Sequence, residues 1–251
     1  MLIPGIQGRW EYMRSTVDAL SPHFDVRAIS LDATARSLDD YVAQVSDALD
    51  RASIDRAVVC GVSFGGLVAL RFAATQPSRT QALVLASTPG PDFALKPRHR
   101  FYARLPWIFG PLFLAETPWR LRREIAVALP DRAARRSFRL ASIATFCRVG
   151  VSLPATATRA RMFGRTDAAA DAARVTAPTL VVTGERDLDY IVPADGSIAY
   201  AQLIPGARAV VLERTGHIGS VTRPQAFAAL VHDFVEPIIV KPKLGTPNAA
   251  A

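Results

Sequence analysis

Two cysteines are all that the 251 residues contain, and they stand far apart, at positions 60 and 147. So few exclude a disulfide framework, and their separation excludes a cysteine-based metal site. Long apolar runs are missing as well. Half of the residues are hydrophobic, yet no run approaches the about 18–20 residues of a membrane span. The longest, Leu105 to Ala115, is interrupted by Pro106, Gly110 and Pro111. The amino-terminal stretch lacks the basic-then-apolar leader and cleavage site of a secreted protein, and there is no internal repeat. These absences point to a cytoplasmic chain with enough apolar residues for a sizeable core, organised as one large domain or a domain with an insertion.

Acidic residues are scarce in one stretch. The chain carries a net charge of +8, and between Lys96 and Arg165 lie 15 Lys and Arg against only Glu116, Glu124 and Asp131, a local net of +12. The remainder is therefore net acidic. A basic segment attracts nucleic acid, anionic lipid or an anionic substrate. No nucleic-acid-binding motif accompanies it, so nucleic acid is not an expected partner. Two readings stay open: a solvated arginine-rich face, and a surface for an anionic ligand. The aromatic run within it, Phe101 to Leu114, reads as helix–helix packing, as the roof of an acyl or aryl pocket, or as a loose contact with a membrane surface without stable insertion.

What the sequence does contain is organised around Gly61-Val62-Ser63-Phe64-Gly65. The apolar, β-branched run Ala57 to Cys60 precedes it and reads as a buried strand. Gly66 to Ala74 follows and reads as a helix that ends before Pro77. A serine between two glycines at a strand-to-helix corner is the pattern of a nucleophile elbow. The corner is so tight that side chains two residues either side of the serine would collide, and glycine removes the collision. The corner also lifts the Ser63 hydroxyl from the sheet and aims the first helix amides at the place where an oxyanion forms.

Strands and helices alternate on either side. Leu2 to Gly5, Phe24 to Leu31, Gln81 to Ala86, Pro178 to Gly184 and Ala207 to Leu212 read as strands; with the elbow strand they make six. Trp10 to Leu20, a segment begun by Ser37 with Asp39 and Asp40 in its first turn, Pro193 to Leu203 and Thr222 to Val235 read as helices. Between residues 91 and 175 no strand is readable; prolines break that segment into helices, clearest at Leu121–Leu129 and Arg132–Val149. The alternation predicts an α/β fold, a mostly parallel sheet covered by helices on both faces. Its parts are a core of 1–90 and 176–237, a helical insertion at 91–175 and a flexible tail at 238–251. Functional residues then belong at the carboxyl ends of the strands.

A serine hydroxyl needs a base. Of four histidines, His217 follows the last strand directly, in Thr215-Gly216-His217-Ile218-Gly219, where a base belongs. His23, His99 and His232 read as structural or solvated. The strand ending at Thr183 runs into Gly184-Glu185-Arg186-Asp187-Leu188-Asp189. Asp187 and Asp189 are each placed to accept the ring N–H of His217 and stabilise its imidazolium; Glu185 is expected to face solvent.

The chain order Ser63, Asp187 or Asp189, His217 resembles that of the α/β-hydrolase superfamily. Pro4-Gly5-Ile6, the elbow, Gly184 to Asp187 and Gly216-His217 extend the resemblance from Leu2 to about Pro237. It implies that residues 91–175 form a helical cap, that the amides of Phe64 and Ile6 make an oxyanion hole, and that neither metal nor organic cofactor takes part. Gly-x-x-Asp selects Asp187 as the acid, whereas spacing to Pro193 selects Asp189; Asp187 is preferred, with Asp189 the alternative. Pro4 stands where the family usually has histidine. The family's first two strands have no counterpart here, which leaves Phe24–Leu31 an exposed edge. The implied activity is hydrolysis of a carboxylic ester, thioester or lactone of a small hydrophobic acyl or aryl substrate. Carbon–carbon bond hydrolysis with the same triad and a non-catalytic protein on this fold are the alternatives. Oligomeric state is not readable.

Overall fold

The computed structural model describes residues 1–240. Five parallel strands form its sheet, and their order in space is their order in the chain. The chain runs through β1 (Leu2–Ile3), a 3₁₀ turn at Trp10–Met13, α1 (Arg14–Leu20), α2 (Leu38–Arg51), β2 (Ala57–Val62), α3 (Phe64–Thr75) and β3 (Thr80–Ala86). Five helices follow: α4 (Pro97–Tyr102), α5 (Pro106–Ala128), α6 (Arg132–Val149), α7 (Leu153–Met162) and α8 (Ala168–Arg174). β4 (Thr179–Thr183), α9 (Ala194–Ile198), α10 (Tyr200–Leu203), β5 (Arg208–Val211), α11 (Gly219–Thr222) and α12 (Pro224–Val240) complete it.

The central strands are apolar at consecutive positions because both faces are covered. Val59, Leu83, Leu85 and Val181 pack on one side with α2, α3, α8 and α10. Cys60, Val62, Val84, Leu180 and Val182 pack on the other with α1 and α12. Cys60 is a buried thiol of that second layer, and burial pushes it up to about 12. Ser37 caps α2 as its residue type predicts: its side chain accepts the Asp40 amide while Asp40 accepts the Ser37 amide.

Several sequence expectations change. Phe24–Leu31 is not a strand. Ala28 makes one isolated parallel bridge with Leu2, through Leu2 N–H to Arg27 O (2.7 Å) and Ile29 N–H to Leu2 O (3.3 Å). Its neighbour β1 is only two residues long, so there is no ladder to extend. The expected Trp10–Leu20 helix begins as 3₁₀, and Pro193–Leu203 divides into α9 and α10. Prolines 111 and 118 do not break α5 but lie inside it, and both are exposed. α12 continues to Val240 with Pro237 inside it, so residues 238–240 are helical, and the rest of the expected tail lies outside the described residues. No single helix among them is long and apolar enough to cross a membrane.

The corner between β2 and α3 is the tightest place in the sheet. A Cβ on Gly61 would lie 2.5 Å from the Gly65 carbonyl carbon and 2.7 Å from the Gly66 Cα, and one on Gly65 would lie 2.5 Å from the Pro4 carbonyl oxygen. These are backbone atoms that cannot swing aside. Gly65→Ala is therefore expected to cost about 3 kcal/mol or more, the upper end of overpacking penalties, read as a lowered urea midpoint with unchanged slope.

Candidate active site

Ser63 sits at the corner with φ 55° and ψ −121°. That is strained backbone for a residue with a Cβ, costing on the order of 1–3 kcal/mol where the surroundings enforce it. The enforcing contacts are the Ser63 amide to Ala86 O (2.8 Å), which ties the corner to β3, and the Gly66 amide to Ser63 O (2.9 Å). The hydroxyl is aimed at His217, with Nε2 3.0 Å from Ser63 Oγ. On the other side of the ring Nδ1 lies 3.2 Å from Asp189 Oδ2. With the proton on Nδ1 the imidazole donates to Asp189 and leaves Nε2 free to accept the serine proton.

The two candidate aspartates separate. Asp189 Oδ1 accepts the amides of Ile191 (2.9 Å) and Val192 (2.8 Å), which leaves Oδ2 for the ring. Asp187, preferred from the sequence, is exposed and bonds to no ring among the described residues. The reason is a helical turn: the amides of Leu188 and Asp189 both reach back to Glu185 O at 3.1 Å, so residues 187 and 189 face opposite ways. Glu185 does not simply face solvent either; its Oε1 accepts the Arg214 amide at 2.6 Å.

Glycine brings these loops together. A Cβ on Gly184 would lie 2.5 Å from the Gly216 Cα, and one on Gly216 would lie 2.6 Å from the Leu188 carbonyl carbon. The histidine loop thus lies backbone on backbone against the acid loop. Two more amides belong to segments that follow the carboxyl ends of β1 and β2. Among the described residues neither Ile6 N–H nor Phe64 N–H has an acceptor. The Gly5 Cα beside Ile6 lies so near the elbow that its Cβ would be 3.5 Å from the Ser63 Cβ.

The site includes a carboxylate that the sequence did not single out. Glu124 is fully buried at the end of α5. Its Oε1 accepts the Ile218 amide at 2.8 Å, while Oε2 has no partner among the described residues. Burial, the largest effect, pushes this carboxyl up to about 7, against the Gly216 and Ile218 amides and the nearby imidazole, which pull it down. A lone acid amid arginines was the only signal available. Burial by itself would lower His217; the charge and hydrogen bond of Asp189, with Glu124 behind them, outweigh it and raise the imidazole above its ordinary value. The other histidines lie elsewhere. His23 and His232 pack on each other, ring centroids 4.4 Å apart, and His99 is in α4.

The basic stretch is mostly a solvated face, with Arg98, Arg100, Arg104, Arg122, Arg132, Arg136 and Arg139 exposed. Its aromatic run is not wholly packed: Trp107 and Ile108 remain 74% and 65% exposed. A cleft of about 470 Å³ between α2, α3 and α7, lined by Arg36, Asp39, Arg71 and Asp171 among others, does not include Ser63, His217 or Asp189. Arg71 is already paired there with both aspartates, which makes it a surface feature apart from this site.

Residues 1–230 match the model of a family described as the alpha/beta hydrolase family. The chain is 28% identical over 232 residues to the pimeloyl-[acyl-carrier protein] methyl ester esterase of Xanthomonas campestris pv. campestris (strain B100), covering 87% of each chain. It is 30% identical over 201 residues to the protein of that name from Aromatoleum aromaticum, covering 76% of this chain and 78% of that one. Among solved structures, the enol-lactonase from Burkholderia xenovorans LB400 superposes with a TM-score of 0.75 at 23% identity, over 94% of this chain and 90% of the other. At that identity the likeness is one of fold.

The ring environment is testable without any substrate. By NMR titration His217 is expected to titrate above about 6.5, the unperturbed imidazole value. Asp189→Asn should bring it down, and Asp187→Asn should leave it where it is. A ring that responds to Asp187 instead would reverse the assignment of the loop.

Proposed function

The chain belongs to the α/β hydrolase family, and on that premise we propose that it is a cofactor-independent serine hydrolase that cleaves a carboxylic ester, thioesters and lactones included, through an acyl-enzyme. The observation that carries the reading is the 3.0 Å contact of His217 Nε2 with the hydroxyl of a serine held at φ 55°. Ser63 Oγ attacks the carbonyl carbon as its proton passes to Nε2. The carbonyl oxygen becomes an oxyanion, and the free amides of Ile6 and Phe64 are the donors proposed to stabilise it. Asp189 holds the ring in the tautomer that receives the proton and stabilises the imidazolium. The imidazolium protonates the departing alkoxide, the tetrahedral centre collapses to an acyl-serine, and water activated by the same ring releases the acid.

For the substrate we propose an apolar acyl or aryl group, a reading supported by the aromatic side chains that connect the nucleophile's helix to the insertion. Phe64, next to the nucleophile, packs edge-on against Phe163, and Phe163 packs in the same way against Phe93, with centroids 5.7 and 5.3 Å apart. Phe93 and Phe163 flank α4–α7, which we take as the cap. The named relatives act on esters, which favours this class over the other reactions the triad supports.

Labelling with a fluorophosphonate followed by peptide mapping should mark Ser63. Turnover of p-nitrophenyl esters from acetate to decanoate should fall on the order of 10⁴-fold or more in Ser63→Ala and His217→Ala. Neither label nor turnover from folded parent protein would end the hydrolase assignment.

The pH profile supplies a second check. His217 acts as a base only when neutral, and its pKa is raised. So kcat/KM should rise with pH through a midpoint above about 6.5. Glu124→Gln, which removes one of the charges that hold the imidazole up, should move that midpoint to lower pH.

A further inference from the structure

The buried cation of the insertion has no role in the chemistry above. Arg159, in α7, is 2% exposed, and among the described residues no carboxylate lies within ion-pair distance of it. Its partners are five neutral oxygens. Nε–H donates to Tyr41 Oη at 3.0 Å. Nη1 donates to Ile6 O at 3.1 Å and Gln7 O at 3.4 Å. Nη2 donates to Leu31 O at 3.1 Å and Asp32 O at 3.2 Å. A guanidinium has five N–H donors in a rigid fork, and each has an acceptor here. Burying an unpaired charge is costly, so the fork persists only because the segments it joins are shaped around it. Gly8 is part of that shape. It has φ +78°, and a Cβ there would lie 2.5 Å from the Arg159 Cζ and 2.7 Å from Nη2. The segments are also tied to each other, since the Leu31 amide donates to Gly8 O at 2.7 Å.

We propose that Arg159 is a positioning residue, which reaches from the insertion to fix the Pro4–Gly8 loop and so set the Ile6 amide beside Ser63. The inference rests on the serine hydrolase reading for its catalytic consequence and on geometry alone for the brace. The loop spans five residues with no helix or strand beyond Ile3 to stiffen it, and the Gly5 Cβ position is 3.5 Å from the Ser63 Cβ. A small shift of the loop would therefore move the oxyanion donor relative to the nucleophile. Lysine does not replace this arginine. It offers three donors from one point and cannot span carbonyls on residues 6–7 and 31–32 together with the Tyr41 hydroxyl.

The test compares the full chain with Arg159→Lys, Arg159→Met, Gly8→Ala and Tyr41→Phe, using amide hydrogen exchange and p-nitrophenyl ester kinetics together. Exchange at residues 5–8 and 31–32 should accelerate about 10-fold or more in the Arg159 and Gly8 variants while α3 and β2–β4 keep their protection. Their kcat should fall about 10²-fold, with KM within about twofold of the parent. Tyr41→Phe, which leaves four of the five bonds, should show a smaller effect in the same direction. Should Arg159→Met fail to fold, Gly8→Ala and Tyr41→Phe carry the comparison. Parental loop protection and parental kcat in Arg159→Lys and Gly8→Ala would overturn the proposal, as would a change confined to KM. A parent that turns over no ester would overturn the hydrolase reading separately, with the exchange measurement still deciding the brace.

Discussion

At the carboxyl end of the sheet, backbone lies against backbone with no side chain between. Gly61 faces Gly65, Gly65 faces the Pro4 carbonyl, Gly184 faces Gly216, and Gly216 faces the Leu188–Asp189 peptide. The first closes a single tight turn, the other three join segments distant in sequence, and each forbids even a methyl group. The strained conformation of Ser63 depends on the first two, and the approach of Asp189 to His217 depends on the last two. The meeting of Ser63, His217 and Asp189 is thus positioned by four missing side chains as much as by the hydrogen bonds among the three. Hydrogen bonds such as Ser63 N–H to Ala86 O hold the arrangement, but it is close approach that makes those bonds reachable.

The helical insertion contributes two buried ionisable side chains to two different loops of this centre. Glu124 accepts an amide of the histidine loop, and Arg159 donates to the loop that carries Ile6. Arg123 and Arg214 reinforce the first connection, reaching Tyr190 Oη at 2.6 Å and Val127 O at 3.1 Å. A surface insertion could be attached by apolar contacts alone. Here it is attached by polar groups that are expensive to bury unless their partners are in place, and those partners include the Ile218 amide and the Ile6 carbonyl of the site loops. Insertion and site therefore share one geometry.

Much of this was legible in the sequence, and the exceptions have physical causes. The elbow showed because glycine, serine and glycine between an apolar strand and an apolar helix leave few alternatives. His217 showed because strand-end loops collect functional groups. The preference for Asp187 was not met, because one helical turn puts Asp189 and not Asp187 against the ring, and the residue pattern allows either. Residues 24–31 alternate like a strand, yet alternation reports which side chains are covered, not whether a neighbouring strand is long enough to pair. Prolines 111 and 118 looked like breaks because a propensity takes no account of solvent on the exposed side of a helix. Arg159 was one arginine among 15 basic residues in its stretch, and nothing local distinguishes a buried member of such a run from its solvated neighbours.

The order of the strands has a consequence for how the chain acquires its shape. β1, β2 and β3 are neighbours in space, and the pairings around the elbow lie within the first 86 residues. β4 pairs with β3 only across the entire helical insertion. Closing that span costs more entropy than the earlier pairings, though each doubling of a loop adds only about 0.6 kcal/mol. Compaction of the insertion shortens the effective gap. The half that carries Ser63 therefore closes over the shorter spans, and the loops of Asp189 and His217 follow the strands that pair across the longer one. Until β4 and β5 dock, the corner at Ser63 lacks its contact with His217, and its strain is carried by β2, β3 and α3. A chain emerging from the ribosome would pass through this stage with the apolar flank of β3 uncovered, which marks that flank as the point most exposed to misassembly.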